Sequence, residues 1–436
     1  MKLVKMSLAA AVLLGASAFA IDNVKVSGDA KLFYGTSNTD QTTAGTSDAL
    51  FGYDNSYADT ALRIGATGDL TKGVSFGVTA TAVSTLGLEN NLVANTWTGA
   101  HYHSGAVDDE AWVSEAWIAA TLGKTTAKIG RMELDTPLAF SEKWSVAANT
   151  FEGAVLLNQD LPDTTLVGAW VGKANGVNVL GANSLGGVTD NRQDIVPGGA
   201  TNPLGIDGIM ATGAKMTTFV KGGAYAAALV NNSYKPLTFQ AWYYNVVDVA
   251  DAYWLQADIN CQLVKGLTIG AQYADIDTKG VAKTFTDSSA YAFKLGYSKD
   301  KLNVAAAYSN ADKDGTLKIA NVATNNLGNS QSKLYTEAFW NYGYVGRAGA
   351  ESYMLLAEYD AGIAKFAAQY TDVTVRPTSA ASNEDMTEVA LTATKSFGPL
   401  DATLAYISTD ATDQNTAVNA NGARYDSVQA YLTLKF

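Results

Sequence analysis

Read backwards from Phe436, every second residue of the closing stretch DSVQAYLTLKF is apolar: Phe436, Leu434, Leu432, Ala430 and Val428. Lys435, Thr433, Tyr431, Gln429 and Ser427 stand between them. Strict alternation marks a strand with one apolar and one polar face. The pattern returns along the whole chain. In NVKVSGDAKLFYG, Val24, Val26, Ala30, Leu32 and Tyr34 share one face, and Lys25, Ser27, Asp29 and Lys31 the other. LTIGAQY, YAFKLGY and LNVAAAY repeat it. About eighteen such segments fall at 22–35, 60–69, 74–85, 111–122, 126–132, 152–159, 164–173, 222–231, 237–248, 252–264, 267–277, 289–298, 302–310, 351–361, 363–373, 386–396, 400–409 and 425–436. At ~3.3 Å per residue and a tilt near 40–45°, ten or eleven residues rise roughly 25 Å, the apolar height of an outer-membrane barrel.

The connections discriminate between folds. Every second link is short: 70–73, 123–125, 160–163, 231–235, 265–266, 298–301, 361–362 and 396–399. The others, except one near Val249–Asp251, are long: 36–59, 86–110, 133–151, 174–221, 278–288, 311–350, 374–385 and 410–424. A soluble β-sandwich has no reason to alternate in this way. An outer-membrane barrel does, with tight periplasmic turns and long outer loops. The predicted fold is therefore all-β: a transmembrane antiparallel β-barrel of about eighteen strands forming one domain over 21–436. Two stretches leave the count open. The link 174–221 has room for another hairpin around GIMATGAKMTTFVKG, which would give twenty strands. Reading 126–132 and 152–159 as loop would give sixteen.

Composition agrees with a two-sided sheet. The 436 residues are 47% hydrophobic, yet apolar and polar residues are so finely mixed that no linker or charge block divides them. The opening MKLVKMSLAAAVLLGASAFA reads as a secretory signal peptide over 1–20: Lys2 and Lys5, an apolar run from Met6 to Leu14, and an A-x-A site at Ala18-Phe19-Ala20. No later stretch approaches the ~18 consecutive apolar residues of a membrane helix. Cys261, the single cysteine, cannot close an internal disulfide. Its parity with Leu255, Ala257, Ile259 and Leu263 predicts a lipid-facing site near the periplasmic end. A net charge of -12 argues against nucleic acid as a partner.

In a bilayer every backbone N–H and C=O must be satisfied internally, so a sheet there must close and lose its edges. A barrel this wide cannot be filled by wall side chains and holds water. Inward residues can then be polar, as at Thr79, Thr81, Thr238, Gln240, Lys365 and Gln369. Outward residues meet outer-membrane lipid. Tyr34, Tyr243, Tyr273, Tyr297, Tyr308, Tyr359 and Tyr370, near segment ends, fit aromatic girdles at the two interfaces.

The third long link, with its flanks, reads RMELDTPLAFSEKWSVAANTFEG (131–153). It mixes Glu133, Asp135, Glu142 and Lys143 with Leu138, Phe140, Trp144 and Phe151. An exposed tip would be more polar, so the apolar anchors predict a segment folded onto the inside wall. Acids in a narrow passage would set the field that ions experience. A plain surface loop is the alternative reading. Parity supplies candidate opposing cations. Arg63 stands between Leu62 and Ile64, and Lys128 between Ala127 and Ile129, so both face the lumen. Lys25 and Lys31 also point inward, and Arg131 sits at the rim. The alternative for each is a side chain that only lines water.

GRMELDTPLAFSEKWSVAANTFEG resembles the third-loop region of the outer-membrane porin D family, which begins with DTP and leaves with TFEG. MKLVKMSLAAA, the single-barrel layout and the terminal Phe are similar to the epsilonproteobacterial major outer membrane porins. The resemblance covers the whole chain in layout, and closely only 130–153 and the two ends. It implies an 18-stranded channel whose third loop forms the constriction, with roles there for Glu133, Asp135 and Glu142 opposite basic residues. It also implies that Phe436 is the signal read by the barrel-assembly machinery. The family's acid, Arg and Leu-Leu-Pro run after TP is replaced by SEKWSVAA, which speaks against a family-type specificity for basic amino acids.

HYHSGAVDDE (101–110) places His101, His103, Asp108, Asp109 and Glu110 in one outer loop. His-x-His suits a transition metal, and the three acids are weak candidates for Ca²⁺; a solvated loop is the simpler reading. Some porins of the resembling kind bind Ca²⁺ in the pore. DKDG (312–315) starts like a calcium loop but lacks the later acid. No cofactor is otherwise implied. With only these two histidines and no nucleophile or phosphate-cradling motif, the chain is not expected to be an enzyme. The expected function is a passive diffusion channel for ions and small hydrophilic solutes, weakly cation-preferring. A substrate-specific channel, and an exported β-rich adhesin or surface protein, are the alternatives. Monomer and homotrimer stay open. The closing strand is expected to seal the barrel against the first strand, with Phe436, Leu434 and Leu432 on the lipid side of the seam.

Overall fold

The alternating segments form eighteen antiparallel strands: β1 (Asp22–Ser37), β2 (Ser56–Thr71), β3 (Val74–Ser84), β4 (Glu110–Leu122), β5 (Thr125–Met132), β6 (Phe151–Asn158), β7 (Thr164–Ala174), β8 (Ala224–Asn231), β9 (Leu237–Val246), β10 (Ala250–Asn260), β11 (Leu267–Thr278), β12 (Ser288–Lys299), β13 (Leu302–Ala311), β14 (Ala350–Asp360), β15 (Lys365–Val375), β16 (Glu384–Phe397), β17 (Leu400–Asp410) and β18 (Arg424–Lys435). The computed structural model describes residues 21–38, 49–88, 91–93, 95–98, 101–104, 110–144, 146–175, 216–218, 222–323, 330–378, 384–411 and 424–436. Each strand pairs with its sequence neighbours, and β18 returns to β1 to close the barrel. The segment 1–20, expected to be a signal peptide, lies outside the described residues.

Segments 126–132 and 152–159 are barrel strands, which removes the count of sixteen. Of the link after β7, only Thr217–Thr218 is a described strand, a two-residue extension against Lys173 and Ala174; most of the link lies outside the described residues. Another small hairpin, Asn95–Thr98 with His101–Ser104, belongs to the second outer loop.

Inner turns are tight because glycine supplies their left-handed backbone. Gly73 closes the β2–β3 turn at φ +77, and a Cβ there would lie 2.8 Å from the Thr121 carbonyl. Gly266 at φ +90 has the Ser298 carbonyl only 2.1 Å from where a Cβ would sit. Cys261 lies in the β10–β11 turn, not on the wall of β10, because the strand ends at Asn260. There its N–H donates to Leu267 O at 2.8 Å and its sulfur accepts from Val264 N–H at 3.4 Å.

Parity decides the two faces as expected. Val26, Leu62, Ile118, Phe293, Leu355 and Leu404 are exposed outward, where lipid covers them. The inward face is less wet than its polar residues suggest. Phe33, Trp254, Ile276 and Met386 point inward and are buried, because two loops fold into the barrel and pack on them. The apolar core therefore sits inside the barrel, built by strands and loops together.

Candidate functional site

The third outer loop, 133–150, leaves β5 and turns back at once. Asp135 and Phe140 form a bridge around Pro137; Thr136 N–H and Oγ1 both donate to Ala139 O, at 3.2 and 2.7 Å, and Ser141 N–H donates to Leu134 O at 2.8 Å. Its apolar residues are the anchors. Leu138 is buried in the cluster that includes Tyr244, Val249 and Trp254. The Trp144 ring stands edge-on to Phe33 at 5.9 Å and to Trp340 at 5.5 Å.

Trp340 belongs to the seventh outer loop, whose described residues 312–323 and 330–349 pack against the third loop and the inner wall. The Asn321 amide links the two loops: its Oδ1 accepts from Phe140 N–H at 3.1 Å, and its Nδ2 donates to Phe140 O at 2.9 Å and Glu142 Oε1 at 3.0 Å. Gln331 N–H also donates to Glu142 Oε1, at 3.1 Å. Inward wall side chains hold the rest. Gln272 donates to Lys333 O at 2.9 Å and accepts from Tyr335 N–H at 3.0 Å. Gln369 donates to Glu337 O at 2.8 Å, and the Tyr335 hydroxyl donates to Asp258 at 2.8 Å. Glu388 of β16 accepts from the backbone N–H groups of Phe339 and Asn341, each at 2.8 Å, and of Trp340 at 3.1 Å, and from Asn341 Nδ2 at 2.8 Å.

Glu337 makes this junction sensitive to pH. Burial, then the charge of Glu142, push its carboxyl up to about 8, against the weaker opposite pull of the Ser332 N–H and of Lys333. An acid whose folded value is raised favours the folded arrangement most below its ordinary range, and that contribution is lost as pH rises through the folded value. The docked loops should loosen progressively between about pH 4.5 and 8. Open-channel noise should rise over that window, and Glu337→Gln should flatten the profile; a wild-type trace unchanged across it contradicts this.

Charged groups gather where the third loop meets the wall of β1–β5. Glu133 pairs with Arg63 at 3.2 Å and with Lys143 at 2.7 Å. Burial opposes its charge, but the Lys143 hydrogen bond and the Arg63 and Lys31 charges outweigh it and hold the carboxyl below the usual range. Arg63 also lies 3.8 Å from Asp29 and 3.9 Å from Glu115. Lys31 and Lys128 complete the group, within electrostatic reach of Glu133, with the Lys128 ammonium 4.1 Å over the Trp117 ring. Asp135 is exposed across the loop and pairs with Lys333 of the seventh loop at 2.8 Å.

Two predicted constriction residues lie elsewhere. Glu142 is only 3% exposed. It is fixed between the two loops by Asn321 and Gln331, so it holds the plug together and does not face a passage. Arg131 lies on the outward side of β5, in step with Ile129, which is 61% exposed. It pairs with Glu152 at 2.7 Å and donates to Val113 O, and Glu152 pairs with Lys173.

The seventh loop was not expected inside the barrel. Its signal was available: Tyr335, Phe339, Trp340, Tyr342 and Tyr344 make it as aromatic as the third loop. In the second loop Asp108 and Asp109 lie outside the described residues, and among the described residues no three His, Cys, Asp or Glu side chains converge to hold a metal. In DKDG, Asp312 accepts from Asp314 N–H at 3.1 Å, an ordinary turn contact.

A closed eighteen-stranded antiparallel barrel, apolar outside and with polar and charged side chains on its inner face, defines a transmembrane channel. The chain belongs to the Gram-negative porin family, whose model matches residues 7–343 and 264–433. It is an outer-membrane porin channel of the bacterial outer membrane. Similar solved structures include OccK8 (OprE) of Pseudomonas aeruginosa, 16% identical over 95% of this chain and 98% of that one, with a TM-score of 0.67. OpdK of Pseudomonas aeruginosa, solved with vanillate, is 14% identical over 95% and 98%, with a TM-score of 0.69. A BenF-like porin from Pseudomonas fluorescens Pf-5 is 11% identical over 95% and 98%, with a TM-score of 0.70. No curated protein sequence matches the chain.

Proposed function

We propose that small hydrophilic solutes diffuse passively through a passage between the third loop and the β1–β5 wall, with a weak overall preference for cations. The supporting observation is the set of ion pairs joining Glu133 of the third loop to Arg63 and Lys143. Charges there are nearly balanced, so the acidic surplus of the whole chain, 42 acids against 30 basic residues, tips the field toward cations. In salt-gradient bilayer measurements, Glu133→Gln with Asp135→Asn should lower the Na⁺/Cl⁻ permeability ratio about twofold, and Arg63→Ala should raise it. An unchanged reversal potential in both variants would place the constriction elsewhere.

A second reading, a channel for small carboxylates, draws on the four cations Lys31, Arg63, Lys128 and Lys143 beside three carboxylates, Asp29, Glu115 and Glu133. Under that reading millimolar benzoate blocks the NaCl current of wild type and not of Arg63→Ala; under the first it blocks neither. The resemblance to epsilonproteobacterial major porins supports the general-diffusion reading and recognition of Phe436 by the assembly machinery.

A further inference from the structure

One sector of the inner wall breaks the rule of an apolar outside and a polar inside. Register with the inward Lys128 fixes which residues of β6, β7 and β8 face the lumen. Lys128 stands opposite Val155, and Val155 opposite Ala169. One step nearer the periplasm, Leu157 stands opposite Val167, Val167 opposite Ala228, and Ala228 opposite Trp242 of β9. Val230 closes the strip below, and Thr165 is the only polar side chain among the described inward residues of the three strands. The outward faces are apolar as well, with Leu156, Leu166 and Trp170 exposed to lipid. A strand between lipid and pore water alternates. TTLVGAWVG (164–172) instead runs almost continuously apolar. The flanking walls are polar: Lys128 borders the strip on the β5 side, and Gln240, paired with Gln256, borders it on the β9 side.

The outer end of this sector is packed under the third loop, where Val171 and Tyr244 join the cluster around Leu138. Nearer the periplasm the strip leaves that cluster. Leu157 is 38% exposed, and Val155, Val167, Ala169, Ala228 and Val230 are half-buried. Lipid does not reach this face, because it lies inside a closed barrel. What meets it is what passes through the lumen. Partly exposed apolar surface attracts the alkyl part of a solute in proportion to the area covered. Charge sets the rest of that solute. The Lys128 ammonium lies 4.1 Å over the Trp117 ring, with Glu115 within its electrostatic reach. Both signs therefore stand at the edge of the strip. A head carrying a carboxylate and an ammonium matches them, whereas a simple anion or cation is repelled by one of the two.

We propose that the strip from Val155 and Leu157 to Val230 makes the channel favour zwitterionic solutes with a compact alkyl side, the aliphatic amino acids, over hydrophilic zwitterions of equal size. The inference rests on passive diffusion along the charged wall beside it. Liposomes carrying the purified full-length barrel would be tested by osmotic swelling at neutral pH with two size-matched pairs, valine against threonine and leucine against asparagine, and with arabinose as an uncharged reference. The alkyl member of each pair should enter about threefold faster. L157N/V167T should bring both ratios to about one, with arabinose uptake and heat-modifiable migration unchanged. Thr165→Val is isosteric, extends the strip and should raise the ratios. Lys128→Gln should slow all four amino acids and leave arabinose alone. Equal rates within each wild-type pair overturn the proposal. So do ratios that survive L157N/V167T, which would mean that protein covers the strip, and amino-acid rates untouched by Lys128→Gln. Arabinose reads the channel itself: no swelling with it removes the diffusion reading and this one together, whereas swelling with unselective amino-acid entry removes this one alone.

Discussion

Glu388→Ala should release the seventh loop from the wall and turn a quiet channel into a larger, noisier one. The Glu388 carboxylate is buried and accepts from the N–H groups of Phe339, Trp340 and Asn341 and from the Asn341 amide. Hydrogen bonds to a charged acceptor are the stronger kind, and stranding several buried donors costs about 3 kcal/mol, roughly a hundredfold in the docked population. Glu388→Gln keeps one carbonyl acceptor and should show a smaller effect in the same direction. Single-channel recording reads this directly, and limited proteolysis within 312–349 reports the same opening. The barrel should stay heat-modifiable, because no strand pairing depends on this carboxylate. A conductance trace like wild type for Glu388→Ala would mean that the loop does not obstruct the passage.

Deleting Phe436 should strip the barrel of its detergent-resistant form. The β1–β18 seam pairs Leu32 with Leu432 and Ala30 with Leu434, and beyond Lys435 it ends on a reciprocal pair: Gly28 N–H to Phe436 O at 2.8 Å and Phe436 N–H to Gly28 O at 3.0 Å. In hydrocarbon each unmet backbone group costs several kcal/mol. A side chain at Gly28 has no room on this seam, since a Cβ there would come within 2.3 Å of the Arg63 carbonyl of β2 and 2.7 Å of the Phe436 ring. Gly28→Leu should therefore impair closure as the deletion does, with a fall of roughly tenfold in the fast-migrating unboiled band. Phe436→Leu keeps the backbone pair and should be milder. Normal insertion of the deletion would remove the seam role assigned to this residue.

Much of this architecture was legible from parity. A strand with lipid on one side and the lumen on the other must alternate, so Leu32, Leu62 and Leu432 declare one face and Asp29, Arg63 and Lys128 the other. Short and long links then declared which end of the barrel is which. The count stayed between sixteen and twenty because β5 and β6 have eight residues each and could be read as loop, while the link 174–221 is long enough for another hairpin. Parity ends where strands end. It carries no information about Glu142, a loop residue that became the tie between two loops, or about Cys261, one residue past Asn260. At the rim it left Arg131 undecided until the pairing with Glu152 placed it outward.

Strand type, facing, closure and the channel class followed from the sequence alone, because the bilayer imposes a two-residue period and forbids an open edge. Tertiary structure alone decided what fills the lumen. An inward Gln272, Gln369 or Glu388 looks the same in sequence whether it meets water or a loop. The choice rests on whether a distant segment presents N–H and carbonyl groups at matching positions, and the seventh loop does so across more than forty residues of chain separation from Glu388.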